Sequence, residues 1–319
     1  MCTDREDFPV VSLHTCTKIL KARLAIPTTQ QQVTLIGRSW AADSTAFCIP
    51  ELSVGFDAGY VVSEKRMAHY LISHVHSDHI HMLTHVKSRS KPPQFVVPKE
   101  SIPLCERYLE AAQMMSSHLS EEEFRSVDWE KTHTYVGVSA GDSIQLKRGL
   151  HVDVIHCDHG VPCVGYRLSL VKDKLKPEYI DLPGREIGKL RKSGVAVTES
   201  VRTPIVTFLG DTHASIFDNE DTIGDSPVVI VECSFLDPEE HHRARTTNHV
   251  HWLDLQPHVR SHPDTLFVLI HFSHRYSPGY VRNFFSKSRD NDDDTMPSNI
   301  LPWVAPESSD DVPECFVHS

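Results

Sequence analysis

The most constraining feature of this chain is the segment His74-Val75-His76-Ser77-Asp78-His79, which Ser73 alone separates from the apolar pair Leu71-Ile72. Three imidazoles and one carboxylate within six residues are costly to bury together unless a cation accompanies them. Imidazole nitrogens and carboxylate oxygens are also ligands that zinc accepts. A solvated His-rich turn is the alternative interpretation. Alternation through the turn would aim His74 and His76 at one ion and Asp78 and His79 at a second, so the segment predicts halves of two metal sites.

Six residues cannot enclose two cations, so the other ligands must come from distant parts of the chain. Four β-branched or apolar runs each stop beside a candidate ligand, which is typical of buried strands whose ends meet at one edge of a sheet. The runs are 151–155 before His156, Asp158 and His159; 204–209 before Asp211; 228–231 before Glu232; and 266–270 before His271. Because His156 and His159 follow the same run, the residues alone leave both open as ligands.

These motifs together resemble the metallo-β-lactamase fold and, within it, the short form of tRNase Z, the endonuclease that removes 3′ trailers from precursor tRNA. The resemblance extends from about Gly37 to about Tyr276. It rests on the His-rich loop together with Phe56-Asp57-Ala58-Gly59, His159 ahead of Gly165-Tyr166-Arg167, Leu182 to Gly194, Gly210-Asp211-Thr212, Glu232-Cys233-Ser234-Phe235 and His271-Phe272-Ser273-His274-Arg275-Tyr276.

The resemblance implies an α/β fold, the αββα four-layer sandwich with two mixed β-sheets. It also implies two Zn²⁺ per subunit, with His74, His76 and His159 on one ion, Asp78, His79 and His271 on the other, and Asp211 between them. It favours His159 over His156 because of the spacing to the Gly-Tyr-Arg motif. Two neighbouring cations can lower the pKa of a water molecule and stabilise the oxygens of a phosphoryl displacement. Asp78 is expected to ligate metal and can also orient or deprotonate the nucleophile; ligation alone is the alternative.

A general acid is needed to protonate the departing ribose 3′-oxygen. The family takes it from a histidine on the loop after the Glu-containing strand, which here contains His249 and His251. By position His249 is the expected general acid, and Glu232 is expected to hold it as carboxylate–imidazole pairs do. His251 remains the alternative, because this chain has His-Val-His where many relatives have His-Ser-Thr.

Two groups of residues are expected to contact RNA. Arg275 and Tyr276 follow a metal ligand and are expected to contact the scissile or a neighbouring phosphate. A basic stretch at 168–202 lies where relatives carry an RNA-gripping arm, and it includes Lys189, Arg191 and Lys192. It is shorter than the arm of many bacterial relatives, which favours a reduced docking segment. An ordinary solvated helix face is the alternative.

Composition sets limits on the chain. Its length of 319 residues suits one catalytic domain at 33–286, flanked by an N-terminal extension at 1–32 and an acidic disordered tail at 287–319. From Asp290 onward there are eight acidic residues and no Lys or Arg, which accounts for most of the net charge of −11. The eight cysteines form no paired spacing, as in reduced intracellular proteins. No apolar run has the length of a membrane span.

The sequence therefore predicts a zinc-dependent endoribonuclease that removes the 3′ trailer of precursor tRNA, leaving a 3′-hydroxyl on the tRNA and a 5′-phosphate on the trailer. The resemblance implies a homodimer. The composition predicts a cytoplasmic location, with the nucleus as an alternative. The alternatives are a phosphodiesterase of the same fold that acts on small diesters or cyclic nucleotides, and a non-catalytic RNA-binding paralogue.

Overall fold

The computed structural model describes residues 19–26, 31–127, 131–286, 296–305 and 314–315. Two sheets are formed by the strands β1 (Leu20–Ile26), β2 (Gln31–Trp40), β3 (Ser44–Ile49), β4 (Val54–Phe56), β5 (His69–Leu71), β6 (Gln94–Pro98), β7 (Thr134–Val138), β8 (Ser143–Lys147), β9 (Leu150–Asp158), β10 (Pro162–Leu175), β11 (Thr198–Phe208), β12 (Val228–Glu232), β13 (Leu266–Ile270), β14 (Ile300–Pro302) and β15 (Glu314–Cys315). The helices are α1 (Ser77–Ile80), α2 (Leu83–Val86), α3 (Ile102–Ser117), α4 (Glu121–Ser126), α5 (Gly184–Lys192), α6 (His241–Thr246), α7 (Trp252–Ser261) and α8 (Pro278–Ser286).

Both sheets are mixed, as the sequence predicts. The first has the order β15-β1-β2-β3-β4-β5-β6-β7 and the second the order β14-β13-β12-β11-β10-β9-β8. In the first sheet β4 to β7 run parallel, and in the second β11 to β14 run parallel. The carboxyl ends of these parallel strands carry the His-rich loop, Asp211 and His271, whereas His159 follows β9.

Alternating side chains bury both faces of each sheet. In β13, Val268 and Ile270 point into the core between the sheets, whereas Phe267 and Leu269 pack with residues of α7 and α8. A third cluster packs the first sheet against α1, α2 and α3. Successive strand residues point to opposite faces, so the apolar runs build two sheets between two layers of helices. The predicted four-layer sandwich is confirmed.

Two hydrogen bonds join the sheets directly beneath the His-rich loop. The fully buried Tyr166 of β10 donates its hydroxyl to the carbonyl oxygen of Ile72, at 2.7 Å, just after β5. The backbone amide of Val164 likewise donates to the carbonyl of Ser73 at 3.0 Å. The loop that carries the candidate ligands is therefore anchored to the second sheet as well as to its own.

The expected domain limits are wrong at both ends. Strand β1 pairs with β2 along its whole length, so part of the predicted extension 1–32 belongs to the first sheet. Strand β14 pairs with β13, and Trp303 is buried against Phe47, so part of the predicted disordered tail 287–319 completes the second sheet. Charge composition concealed these short apolar stretches. Strand β15, also in the predicted tail, pairs with β1. Of the predicted extension and tail, residues 1–18, 27–30, 287–295, 306–313 and 316–319 lie outside the described residues.

Among the described residues, no helix has the length and apolarity needed to cross a bilayer.

Replacing Trp303 with alanine tests the structural role of the C-terminal segment. Trp303 is only 3% exposed, and loss of a buried tryptophan costs about 3–5 kcal/mol of unfolding free energy. Urea unfolding should show this loss, whereas Ser298→Ala at an exposed position of the same segment should leave the midpoint unchanged. Equal midpoints for the two variants would contradict the placement of β14 in the core.

Candidate active site

The His-rich loop turns directly from β5 into α1 and presents its side chains at the edge between the two sheets. His74, Asp78 and His79 are buried and His76 is exposed. The loop lies against the Phe56–Gly59 motif, because Ala58 donates its backbone amide to the carbonyl of His79 at 2.7 Å. A Cβ atom on Gly59 would lie 1.7 Å from the carbonyl oxygen of Asp78. Only glycine allows this close approach.

The predicted ligands from three other strand ends converge on this loop. Asp211 follows β11, His159 follows β9 and His271 follows β13. The Oδ2 atom of Asp211 lies 3.7 Å from His159 Nε2 and 3.2 Å from His271 Nε2. It also lies 4.0 Å from His74 Nε2 and 3.5 Å from His79 Nε2. The carboxylate of Asp211 thus occupies the centre of the cluster.

The remaining ligand atoms divide into two groups on either side of Asp211. His74, His76 and His159 place one nitrogen each within 4.8 Å of one another, and Asp78, His79 and His271 do the same with their ligand atoms. These two groups have the same members as those implied by the family resemblance. His156 is exposed on β9 and is not part of either group, so the structure brings His159 rather than His156 to the cluster.

The geometry fits a cation-binding site. His76 Nδ1 lies 3.1 Å from His74 Nε2 and 3.3 Å from His159 Nε2, so lone pairs converge where a positive charge would stabilise them. Within the described chain, His79 Nε2 is buried without a hydrogen-bond partner. Such an orphaned nitrogen is costly unless a metal or another donor satisfies it. The His/Asp cluster is therefore a candidate metal centre.

Electrostatics favour the ligand forms of several of these groups. Burial raises the pKa of Asp78, but its hydrogen bond with His271 and the nearby His79 outweigh burial and lower that pKa to about 2. His271 and His79 likewise hold the pKa of Asp211 well below its usual range despite burial. Burial lowers the pKa of His74 well below its usual value. At neutral pH both carboxylates are thus charged and His74 is neutral, as metal ligation requires.

The candidate ligand imidazoles contact, through their other ring nitrogens, residues that have no predicted role. His79 Nδ1 lies 2.7 Å from Asp57 Oδ2, and His74 Nδ1 lies 3.0 Å from Ser73 Oγ. His271 Nδ1 lies 3.0 Å from Ser234 Oγ. Such contacts orient the rings and leave the other nitrogen for a metal. The Phe56–Gly59 motif was recognised in the sequence, but nothing there showed that its carboxylate reaches His79.

The Glu232–His249 pair borders the cluster, as expected for a general acid and its partner. Both carboxylate oxygens of Glu232 lie 3.0 Å from His249 Nδ1, and the His249 ring is 4.9 Å from that of His159. Burial lowers the pKa of His249, but the Glu232 carboxylate outweighs it and raises the pKa to about 9. The side chain of His249 is 20% exposed, so this protonated imidazole can reach a substrate.

The alternative general acid, His251, holds backbone groups in place instead of facing the cluster. It is fully buried, and its Nε2 lies 2.9 Å from the carbonyl oxygen of Asp237. Its Nδ1 accepts a hydrogen bond from the backbone amide of Leu253 at the start of α7. Both ring nitrogens are therefore engaged in holding the loop and capping the helix, which leaves His249 as the imidazole that faces the cluster.

The predicted phosphate contact by Tyr276 is wrong. Tyr276 is 3% exposed, and its hydroxyl accepts hydrogen bonds from the backbone amides of Leu236 and Asp237 while it also contacts Glu240. It packs the loop instead of facing solvent. Arg275 is exposed and pairs with Glu240, so its contact with RNA stays a prediction.

The predicted basic segment forms a projection away from the cluster. Strands β10 and β11 stay paired as far as Leu175 and Thr198, whereas β9 pairs with β10 only as far as Leu170. Helix α5 lies between the free ends of this two-stranded ribbon, and none of its residues is buried. Lys189, Arg191 and Lys192 are exposed on this helix.

Comparison with known proteins identifies relatives that share most of this chain. No family model matches it. A tRNase Z of Arabidopsis thaliana is 32% identical over 253 residues, which cover 76% of this chain and 85% of the relative. A nuclear ribonuclease Z of Triticum aestivum is 34% identical over 171 residues, covering 52% of this chain and 91% of the relative. The crystal structure of the short form of human tRNase Z matches with a TM-score of 0.46 and 15% identity over 75% of this chain and 92% of that one. By its identity to the Arabidopsis protein over most of both chains, this chain belongs to the tRNase Z family.

Proposed function

We propose that the protein is a zinc-dependent endoribonuclease that cleaves precursor tRNA 3′ of the discriminator nucleotide. The observation that carries this proposal is the Glu232–His249 pair, held at 3.0 Å beside a cluster of His and Asp ligands. A metal centre next to a protonated imidazole suits hydrolysis of a phosphodiester whose leaving oxygen needs a proton. The names of the plant relatives, tRNase Z and nuclear ribonuclease Z, point to the same substrate.

Two zinc ions per subunit are proposed, one in each ligand group. His74, His76 and His159 would hold the first, Asp78, His79 and His271 the second, and Asp211 would lie between them. Bound there, the ions would supply Lewis acidity, which lowers the pKa of water and neutralises charge on phosphate oxygens. Zinc accepts imidazole and carboxylate ligands. Cys157 and Cys163 are buried free thiols, and among the described residues neither belongs to a ligand group.

The chain's own residues would then act on the nucleophile and the leaving group. Asp78 is held by the backbone amide of Ala42 at 3.0 Å, so its carboxylate is positioned to orient the attacking water and accept its proton. As water attacks phosphorus, the bond to the ribose 3′-oxygen breaks. His249 would donate its proton to that oxygen, and Glu232 would stabilise its charged form. The products are a 3′-hydroxyl on the tRNA and a 5′-phosphate on the trailer.

The position of α5 supports a long substrate. Between Val164, which contacts the His-rich loop, and Leu175 at the end of the ribbon, β10 spans about 35 Å at the usual rise of an extended strand. A small phosphodiester cannot touch both ends, whereas a folded RNA can. We propose that Lys189, Arg191 and Lys192 bind its phosphates. Arg275 is proposed as a nearer phosphate contact. A homodimer, and a cytoplasmic or nuclear location, stay predictions.

Cleavage of a 3′-extended precursor tRNA, with both new ends mapped at nucleotide resolution, tests the function. A metal-dependent cut beside the discriminator base should be absent with Asp78→Ala, because this change removes a proposed ligand and the residue that orients the water. An intact precursor combined with hydrolysis of a small diester would favour the phosphodiesterase alternative. RNA binding without hydrolysis of either substrate would favour a non-catalytic paralogue.

Replacing Asp57 with asparagine should weaken zinc binding. The change removes the charge that fixes His79 through Nδ1, and loss of such a partner lowers metal affinity by about 10–100-fold. Competition with a chromophoric chelator measures the affinity, and thermal unfolding of the metal-free proteins checks that both are folded. Asp153→Asn, which affects the ion pair with Arg202 away from the cluster, is the matched control. Equal zinc affinities would exclude this role of Asp57.

Replacing His249 with alanine should slow cleavage by about 10²–10⁴-fold, the usual contribution of a general acid. A substrate with sulfur in place of the bridging 3′-oxygen has a leaving group that needs no proton. On this substrate the variant should recover most of its deficit relative to the unchanged protein. His156→Ala, at an exposed imidazole on β9, should cleave both substrates normally. An equal deficit on both substrates would show that His249 is not the general acid.

Reversing the charges of α5 in Lys189→Glu, Arg191→Glu and Lys192→Glu together should lower kcat/KM for precursor tRNA by at least roughly tenfold and flatten its dependence on salt, because lost phosphate contacts release fewer counterions. Hydrolysis of bis(p-nitrophenyl) phosphate should not change. The control reverses Lys21, Arg23 and Lys91, which are exposed elsewhere. If both triple variants lose tRNA cleavage equally, α5 has no specific part in docking.

A further inference from the structure

A large cavity lies at the end of the first sheet's parallel strands that is opposite to the candidate active site. It has a volume of about 970 Å³ and is bordered by α2, α3 and the start of β7, within the range of small-molecule sites. The His-rich loop follows the carboxyl end of β5. The cavity residues Lys87 and Thr132 instead precede the amino ends of β6 and β7, which run parallel to β5. The cavity is therefore separate from the proposed metal centre.

The cavity concentrates positive charge in a chain whose net charge is −11. Its lining contains Arg66, Lys87, Arg89 and Lys131, against the two glutamates Glu106 and Glu110. Burial, followed by repulsion from Arg89, lowers the pKa of Lys87. The crowding of these cations is unfavourable by itself, and an anion in the cavity would relieve it.

Two of these cations are satisfied by uncharged partners. The ammonium group of Lys87 donates to the side-chain carbonyl of Gln113 at 3.0 Å, and Arg66 Nε donates to the backbone carbonyl of His85 at 3.4 Å. In the described parts of the chain, neither Lys87 nor Arg66 forms an ion pair with a carboxylate. Their charges are thus available to a phosphate group, which binds guanidinium and ammonium groups well.

The rest of the lining suits a ring and a sugar. His133 and Tyr135 belong to an aromatic group with Phe95, whose ring stacks on that of His133 at 5.1 Å. The Tyr135 hydroxyl is buried and has no hydrogen-bond partner among the described residues. Glu106 and Glu110 lie one helical turn apart on α3 and face the cavity together, and carboxylates accept hydrogen bonds from ribose hydroxyls.

We propose that this cavity binds a nucleotide-sized organic phosphate. Arg66 and Lys87 hold its phosphates, Glu106 and Glu110 accept from its sugar hydroxyls, and Tyr135 and His133 contact its ring. The cavity volume of about 970 Å³ matches a small ligand rather than a duplex RNA. The proposal does not depend on the tRNA-processing function.

Isothermal titration of the full-length protein with ADP, AMP and inorganic pyrophosphate tests the site. ADP should bind more tightly than either partial probe, because AMP lacks the second phosphate and pyrophosphate lacks the sugar and the ring. Arg66→Met with Lys87→Met should weaken ADP binding at least tenfold. Lys21→Met with Arg23→Met, at exposed positions of β1, should leave it unchanged, and so should Asp78→Ala at the proposed metal centre.

Three results would overturn the proposal. The first is an absence of ADP binding at millimolar concentration. The second is ADP binding that is lost with Asp78→Ala but kept in the Arg66/Lys87 variant, which would place the nucleotide at the metal centre. The third is an Arg66/Lys87 variant that binds ADP normally but changes either the KM for precursor tRNA or the sedimentation of the protein. That result would assign the cavity to RNA or to a second copy of the chain.

Discussion

The candidate site depends on the contacts that the buried carboxylate of Asp57 makes with the His-rich loop and with Ser73. Asp57 has a φ of 54°, which L-residues seldom adopt, and this turn aims its side chain at the His-rich loop. Its Oδ1 accepts from the backbone amide of Ser73 at 2.7 Å, and its Oδ2 lies 2.7 Å from His79 Nδ1. Burial raises the pKa of Asp57, whereas His79 and Ser73 lower it. One buried carboxylate therefore contacts both the start of the His-rich loop and one of its three imidazoles.

The second sheet completes the site through a similar arrangement around Ser234. Its hydroxyl donates to Glu232 Oε2 at 2.6 Å and lies 3.0 Å from His271 Nδ1. Glu232 in turn holds His249. A candidate metal ligand and the proposed general acid are therefore positioned by one buried network. Such networks are rigid only when every member is satisfied, which links the geometry of the leaving-group side to that of the metal side.

Basic residues are clustered in two places, so that a chain with a strongly negative net charge still has positive surfaces suited to phosphate groups. The exposed basic residues of α5 project on a ribbon that leaves the sheet, and the cations around the proposed nucleotide cavity lie at the end of the first sheet's parallel strands that is opposite to the candidate active site. Both groups are local and are invisible in the net charge of −11. Attraction between charges is screened within about 10 Å in salt, so local clusters matter more than the total.

The sequence by itself placed candidate metal ligands at the ends of apolar runs that are typical of buried strands, and its resemblance to a known family implied the fold class and the residues that meet in the cluster. It could not rank His156 against His159 by local pattern, or assign the roles of His251 and Tyr276. Only the tertiary structure decided these. His156 is exposed to solvent. His251 and Tyr276 instead form hydrogen bonds with backbone groups that folding brings close to them. The tertiary structure also shows that β1 and β14 belong to the sheets, and that Asp57 contacts His79, 22 residues away in the chain. Such pairings depend on which strand edges and buried groups remain unsatisfied after folding, and this is a property of the whole chain and not of any segment.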